Sequence, residues 1–242
     1  MGIRSVDTPL LTAALLDEAS KPYARAGRFA YFFARGKLNA DPVYAAILER
    51  GLLAGRSQIL DLGCGQALLT AWLRGAARIY DRGSWPTSWP VAPRPRSIRG
   101  IELLRRDADW ARRALRDDAD IVTGDIRELE FGVADAVVIL DVLHYVAAAA
   151  QRDILGRVRA ALPMGGLLLL RVGDAGSGLR YRYTQWVDKV VMLFRSHAWV
   201  TLHCRRIEEW QDLLRSVGFD SETVPMSRGT PFANVLLIAH AI

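Results

Sequence analysis

Ile59-Leu60-Asp61-Leu62-Gly63-Cys64-Gly65-Gln66 sets an acid and a glycine turn on the end of an apolar run. Ile59, Leu60 and Leu62 predict a buried parallel strand, and Ala67-Leu68-Leu69-Thr70-Ala71-Trp72-Leu73 has the apolar spacing of a helix. Gly63 and Gly65 therefore fall at a strand-to-helix turn, where glycine admits positive φ and leaves no Cβ between main chain and ligand. The dinucleotide fingerprint needs a third glycine at the helix start, and Leu68 stands there instead. Asp61, two residues before Gly63, suits a cationic amine better than a pyrophosphate. It points to a nucleotide-like cofactor with an amino-acid end.

The same arrangement recurs downstream. Ile98-Arg99-Gly100-Ile101-Glu102 reads as a second strand with a terminal acid, and Ile121-Val122-Thr123-Gly124-Asp125-Ile126 as a third. Ala134-Asp135-Ala136-Val137-Val138-Ile139-Leu140-Asp141-Val142-Leu143-His144-Tyr145 reads as a fourth, and Gly165-Gly166-Leu167-Leu168-Leu169-Leu170-Arg171 as a fifth, preceded by a helix closed at Pro163. Singly, Glu102 and Asp125 would pass as loop carboxylates or helix caps. Acids at the carboxyl ends of successive strands occupy the edge where open parallel sheets bind ligands.

In this order the motifs resemble those of the class I S-adenosylmethionine-dependent methyltransferases over about residues 55 to 172. The resemblance implies an α/β fold: a seven-stranded, mostly parallel Rossmann-like sheet with helices on both faces and an antiparallel last strand. It implies S-adenosyl-L-methionine as cofactor and S-adenosyl-L-homocysteine as product. The cofactor residues it implies are Asp61, Gly63, Cys64 and Gly65 at the first turn, Glu102 on the ribose hydroxyls with Leu103 beside it, Asp125 by the adenine amino group with Ile126 on the ring, and Asp141 near the methionine end. A carboxylate suits a vicinal diol because its two oxygens accept from both hydroxyls.

The 242 residues, 51% hydrophobic, suffice for one α/β domain with additions. The expected parts are N-terminal helices over 1–54, a cofactor-binding core over 55–172, a helical cap over 173–206, and a helix with two strands over 207–242. The net charge of +6 comes almost wholly from scattered arginines, Lys21, Lys37 and Lys189 being the only lysines, which speaks against a nucleic-acid surface. Cys64 and Cys204 lack metal-type spacing and predict reduced, cytoplasmic thiols. Cys64 between the motif glycines reads as a packing residue. Acids at Asp7, Asp17 and Glu18 interrupt any secretion signal, and no apolar run reaches the length of a membrane span.

Helical spacing covers Leu10 to Ala19, and Tyr23 to Phe33 carries an aromatic cluster expected to pack in the core at the sheet edge, with a lid over substrate as the alternative. Asp41-Pro42 predicts an N-cap and first helical residue. Residues 77–97, rich in proline and tryptophan, form an insertion expected on the side of the sheet away from the cofactor turn, as a structural or partner-binding loop. Tyr181 to Phe194 is apolar and aromatic with Arg180, Arg182, Lys189 and Arg195 interleaved, and the spacing from Trp186 to Phe194 predicts an amphipathic cap helix over the substrate, with membrane-surface contact as the weaker option.

Methyl transfer from a sulfonium leaves the protein to align the acceptor and manage its proton. His144 is the general-base candidate, a structural or cofactor-side contact being the alternative, and Asp141 stands near the methionine end or the acceptor. Arg171 is a candidate partner for an acceptor carboxylate. His197 and His203 are weaker bases, and no metal is expected. The chain has neither the Asn/Asp-Pro-Pro-aromatic ending of nucleobase amino methyltransferases nor a placed nucleophilic cysteine. The expected acceptor is therefore a small molecule, with an RNA or protein methyltransferase, or a non-catalytic S-adenosylmethionine-binding protein, as the alternatives. Ala26-Gly27-Arg28-Phe29-Ala30 and the 229–234 turn resemble, more distantly, methyltransferases of bacterial aryl polyene pigment pathways. That resemblance implies an aromatic or polyketide-like acceptor, with an acidic acyl carrier protein as the candidate partner that would hold it.

Overall fold

The structure, a computed structural model, describes residues 8–175, 202–227 and 233–242. Among them, strands β1 (Gln58–Leu62), β2 (Ser97–Glu102), β3 (Asp120–Thr123), β4 (Ala136–Leu140), β5 (Leu167–Gly173), β6 (Phe219–Pro225) and β7 (Asn234–Ala241) form a seven-stranded sheet ordered β3-β2-β1-β4-β5-β7-β6. The chain divides into two compact units, Met1–Asp125 and Ile126–Ile242.

In the first unit β1 runs parallel to β2 and β2 parallel to β3, with Asp61 opposite Gly100 and Glu102 opposite Thr123. Both acids thus sit at or beside a carboxyl end. The helices are α1 (Thr8–Ser20), α2 (Arg28–Ala40), α3 (Pro42–Glu49), α4 (Leu68–Asp81) and α5 (Arg105–Leu115). Asp41 caps α3 as its sequence predicts, its carboxylate accepting from the Val43 N–H at 3.1 Å.

α4 continues to Asp81, because Ala76 and Ile79 carry its buried face past the predicted end, so the insertion begins at residue 82. Trp85 and Trp89 meet edge to face at 5.5 Å, and the Trp85 indole donates to the Pro90 carbonyl. Backbone N–H groups of Arg96 and Ser97 both donate to the Ser57 carbonyl. The insertion is therefore fastened at the amino-terminal ends of β1 and β2, at the opposite end of the strands from the glycine turn.

The aromatic cluster departs from expectation. Gly27, at φ 116°, divides it into a 3-10 turn over Lys21–Ala26 and the helix α2. Tyr23 is fully buried, but Phe29 and Phe32 are 66% and 60% exposed, because α2 turns Ala30, Ala34 and Leu38 inward. Residue type marked these rings as core; the phase of the helix puts them outside.

In the second unit β4 is parallel to β5, β7 is antiparallel to β5, and β6 is antiparallel to β7. Leu167 to Leu170 are all buried, which accounts for an apolar run rather than an alternating one. Helix α6 (Ala148–Ala161) stops before Pro163, and α7 (Ile207–Ser216) precedes the β6–β7 hairpin. The sheet ends on two modest strands: β3 has four residues, and β6 carries Asp220, Glu222 and Pro225. Most of the predicted cap, including Arg180, Trp186 and His197, lies outside the described residues, as does most of the 229–234 turn. None of the described helices is long and apolar enough to cross a membrane.

Candidate functional site

The glycine turn is held from three directions within the first unit. Gly63 and Cys64 donate backbone N–H bonds to the Ile101 carbonyl at 2.8 and 3.1 Å. Glu102 Oε2 accepts from the Gly65 N–H and Oε1 from the Leu104 N–H, each at 2.8 Å. From the amino-terminal helices, the Tyr23 hydroxyl donates to the Gln66 carbonyl at 2.6 Å. Gly63 and Gly65 have φ of 72° and 58°, and Ala67 takes φ of 55° without being glycine. A Cβ on Gly65 would meet nothing within 4 Å, so the concave side of the turn is open. At β2 a Cβ on Gly100 would stand 2.7 Å from Cys64 Sγ; Gly100 is what allows the cysteine to seat there. Burial, then the nearby Asp61 and Glu102, push the Cys64 thiol well up, so it stays protonated and acts as packing, as its position suggests.

Each Glu102 oxygen receives one backbone donor. A carboxylate has about four acceptor positions, a chemistry that suits a vicinal diol. Leu103, the next residue, is 61% exposed, an apolar side chain presented at a strand end. Asp125 is half-buried where β3 has just ended, and Ile126 is buried. The Gly124 N–H donates to the Glu102 carbonyl at 2.9 Å, tying this turn to the second strand end.

Asp61 is buried, and desolvation, with repulsion from Glu102, raises its pKa from 3.8 to about 7. The folded chain thus prefers the protonated acid. Its contribution to stability is complete below the ordinary carboxylate range and is lost as pH rises through about 7. Asp61→Asn, which keeps the shape of the neutral acid, is expected to flatten the fall in melting temperature between acidic and mildly alkaline buffer. Parallel wild-type and variant curves would refute the shift. A cation placed against Asp61 would reverse the preference, so binding of an amine-bearing ligand is expected to strengthen as pH rises through the same window.

In the second unit Asp141 leaves β4 with φ of 59°. Asp and Asn tolerate this left-handed geometry better than most side chains. Its Oδ1 accepts from Arg171 Nε at 2.8 Å, and Oδ2 accepts from Nη2 of the same guanidinium. Arg171 is 1% exposed on the fully buried strand β5. Its guanidinium is directed to Asp141, not to an acceptor carboxylate, which corrects the expectation for Arg171. His144 lies in a 3-10 turn, Leu143–Tyr145, and is buried. Desolvation lowers its pKa to about 4, with Asp141 opposing and Arg171 reinforcing the shift. The imidazole is therefore neutral at working pH.

Two residues here carry no motif. Gln151 on α6 is fully buried; its amide donates to the carbonyls of Leu143, Val146 and His203, and its oxygen accepts from Arg205 Nε at 2.7 Å. With the His203 N–H donating to the His144 carbonyl, this stitches residues 203–205 to the His144 turn. Tyr23 is the other, and its signal was present as the one polar aromatic at the start of the cluster.

A methyltransferase-domain family model matches residues 30–224. A carboxy-S-adenosyl-L-methionine synthase of Chromohalobacter salexigens is 26% identical over 208 residues, covering 81% of this chain and 63% of that protein. The chain thus spans less than two thirds of that relative's length. Among solved structures, an O-methyltransferase family protein from Burkholderia thailandensis matches with TM-score 0.60 and 18% identity, over 90% of this chain and 61% of that one. Magnesium protoporphyrin IX methyltransferase of Synechocystis with bound SAH matches with TM-score 0.58 and 17% identity, over 98% and 100%. Both likenesses are of fold, and they agree with the strand order and the antiparallel β7 described above. With strand-end acids, glycine turn and family model coinciding along one stretch of sequence, the chain belongs to the methyltransferase-domain family.

Proposed function

We propose that the chain is an S-adenosyl-L-methionine-dependent methyltransferase acting on a hydroxyl or carboxyl group of a small aromatic or polyketide-like acceptor. The observation that carries the cofactor reading is Glu102, a carboxylate at the carboxyl end of β2 that fastens the glycine turn through both oxygens and is of the kind that suits a vicinal diol. Asp61, buried beside it, supplies a carboxylate for the cofactor's amino group once that cation offsets its desolvation. Leu103 offers an apolar side chain to the adenine, and Asp125 an acceptor to its amino group. The cofactor brings an already activated methyl group, which leaves by in-line displacement. The protein's share is alignment, exclusion of water and acceptance of the acceptor's proton.

Asp141 and His144 remain the candidates on the acceptor side. Asp141 is committed to Arg171, so it acts as a fixed negative charge and positioning group. With a pKa near 4, His144 is a weak base for a phenol or alcohol. We assign it to shaping the site. His144→Ala is expected to lower the single-turnover rate while leaving the shape of its pH profile unchanged; loss of an inflection between about pH 6 and 8 would restore the base role.

The Chromohalobacter salexigens relative, named for making a carboxylated cofactor, favours a second reading in which the cofactor is itself the substrate. Incubation with labelled cofactor and a panel of phenolic and carboxylic acceptors separates the two. Methylated acceptor formed one for one with S-adenosyl-L-homocysteine supports the first; a heavier cofactor and no methylated acceptor supports the second. An RNA target would instead show binding that falls steeply with salt. The proposed setting is the cytoplasm, with the acceptor on an acidic carrier protein that the net charge of +6 would attract.

A further inference from the structure

Helix α2 is packed inside out. Its buried positions are Ala30, Ala34 and Leu38, while Phe29, Phe32 and Phe33 are 66%, 60% and 38% exposed. Positions 29, 32, 33 and 36 recur at the spacing of a single helical face. Phe29 and Phe33 stack at 6.2 Å, and Phe29 also meets Trp110 of α5 at 5.4 Å, so the aromatic face extends onto a second helix. A helix on a water-facing surface ordinarily has the reverse arrangement, and contiguous apolar surface of this kind marks an interaction site.

The stretch of chain that carries this face is basic. From Ala19 to Ala40 the sequence holds Lys21, Arg25, Arg28, Arg35 and Lys37 and not one acid. Arg35 and Lys37 are paired with Asp17 and Asp41. Arg25 and Arg28 are exposed at the start of α2; Arg106, 3.6 Å from the buried Asp107 carboxylate, lies over the Trp110 ring at 5.1 Å. Two cations thus rim the aromatic face where α2 begins, Arg25 and Arg28. Protein partners are read through polar groups at the rim of a buried aromatic anchor. Here the outward positions 29, 32, 33 and 36 offer no hydrogen-bonding side chain at all. Rings set into the acyl boundary with arginines at the headgroup level are the signature of a helix lying in a membrane interface.

We propose that α2, with Trp110, docks this protein on an anionic bilayer surface, the phenylalanines entering the headgroup–acyl boundary and Arg25 and Arg28 facing lipid phosphates. The docking does not rest on methyl transfer. Attachment of this kind is reversible and depends on both the rings and the charges.

The test is co-sedimentation of the full chain with phosphatidylcholine vesicles, with and without phosphatidylglycerol, followed by Trp emission. Wild type is expected to partition onto the anionic vesicles at least about tenfold more than onto the neutral ones, with the emission shifting to the blue. Phe29→Ser/Phe32→Ser is expected to lose the binding on both. Arg25→Glu/Arg28→Glu is expected to lose the anionic preference. All four side chains are exposed, so far-UV circular dichroism and melting curves of the variants should match wild type and exclude a folding defect. Equal recovery of wild type from both vesicle types overturns the proposal, as does undiminished binding of the double phenylalanine variant. Self-association lost in that variant without vesicle binding overturns it in favour of a second copy. Retention on an acidic carrier protein without vesicle binding overturns it in favour of a protein partner.

Discussion

Glu102→Ala is expected to weaken binding of S-adenosyl-L-homocysteine by at least about 100-fold, a loss of about 2.8 kcal/mol. Two losses combine. The ligand loses hydrogen bonds to a charged acceptor, each contributing about 1.5–3 kcal/mol. The protein loses the acceptor that both Gly65 and Leu104 share, so the turn that presents the cofactor site is no longer fixed to β2. Glu102→Gln keeps the length and one acceptor oxygen but must turn an amide donor toward one of the two N–H groups, so it is expected to fall between wild type and alanine. Isothermal calorimetry measures all three, and melting curves without ligand separate the two contributions. Unchanged affinity in the alanine variant would remove Glu102 from the site and, with it, the observation on which the cofactor reading stands.

The largest stability effect is expected at Asp141. Arg171 has a side chain only 2% exposed, and Asp141, 30% exposed, makes two hydrogen bonds to it. Removing one partner of such a pair strands a charge away from water, at about 3–5 kcal/mol; the partial exposure of Asp141 favours the lower end. Asp141→Asn is the clean variant, because asparagine also tolerates the positive φ of 59°. It is expected to cost about 3 kcal/mol in urea unfolding, and the double variant Asp141→Asn/Arg171→Met to recover most of it, since no ion then remains buried. A single-variant loss below about 1 kcal/mol, or no recovery in the double variant, would mean that the pair is not the unit of stability.

The sequence was most legible where the chemistry is written along one strand. Asp61, the glycines and Glu102 each stand at a strand's carboxyl end, and strand ends follow from apolar runs read locally, so these residues fell where the runs placed them. Tyr23 and Gln66 are 43 residues apart, and Asp141 and Arg171 are 30 apart. No local period encodes such pairings, and they emerge only when helices and strands pack. For the same reason Arg171 looked like a free cation in the sequence, although its position inside β5 required a counterion. The phenylalanines of α2 failed differently: their helical spacing was visible, but which face meets the protein depends on Ala30, Ala34 and Leu38 offering the closer approach. For His144 the position was legible and the basicity was not, since an imidazole's pKa follows from burial that one sequence does not display.

The two outermost strands have a consequence for how this chain behaves at high concentration. An open sheet presents a row of unsatisfied N–H and C=O groups on each flank, a template for another chain to add to. Here one flank is only four residues long, and the other ends in Pro225 and sets Asp220 and Glu222 along its length. Proline supplies no N–H, and the carboxylates of a second, identical strand would repel them. These features oppose fibrous stacking through the sheet, so Asp220→Val/Glu222→Val is the change expected to turn a concentrated solution turbid without altering the fold.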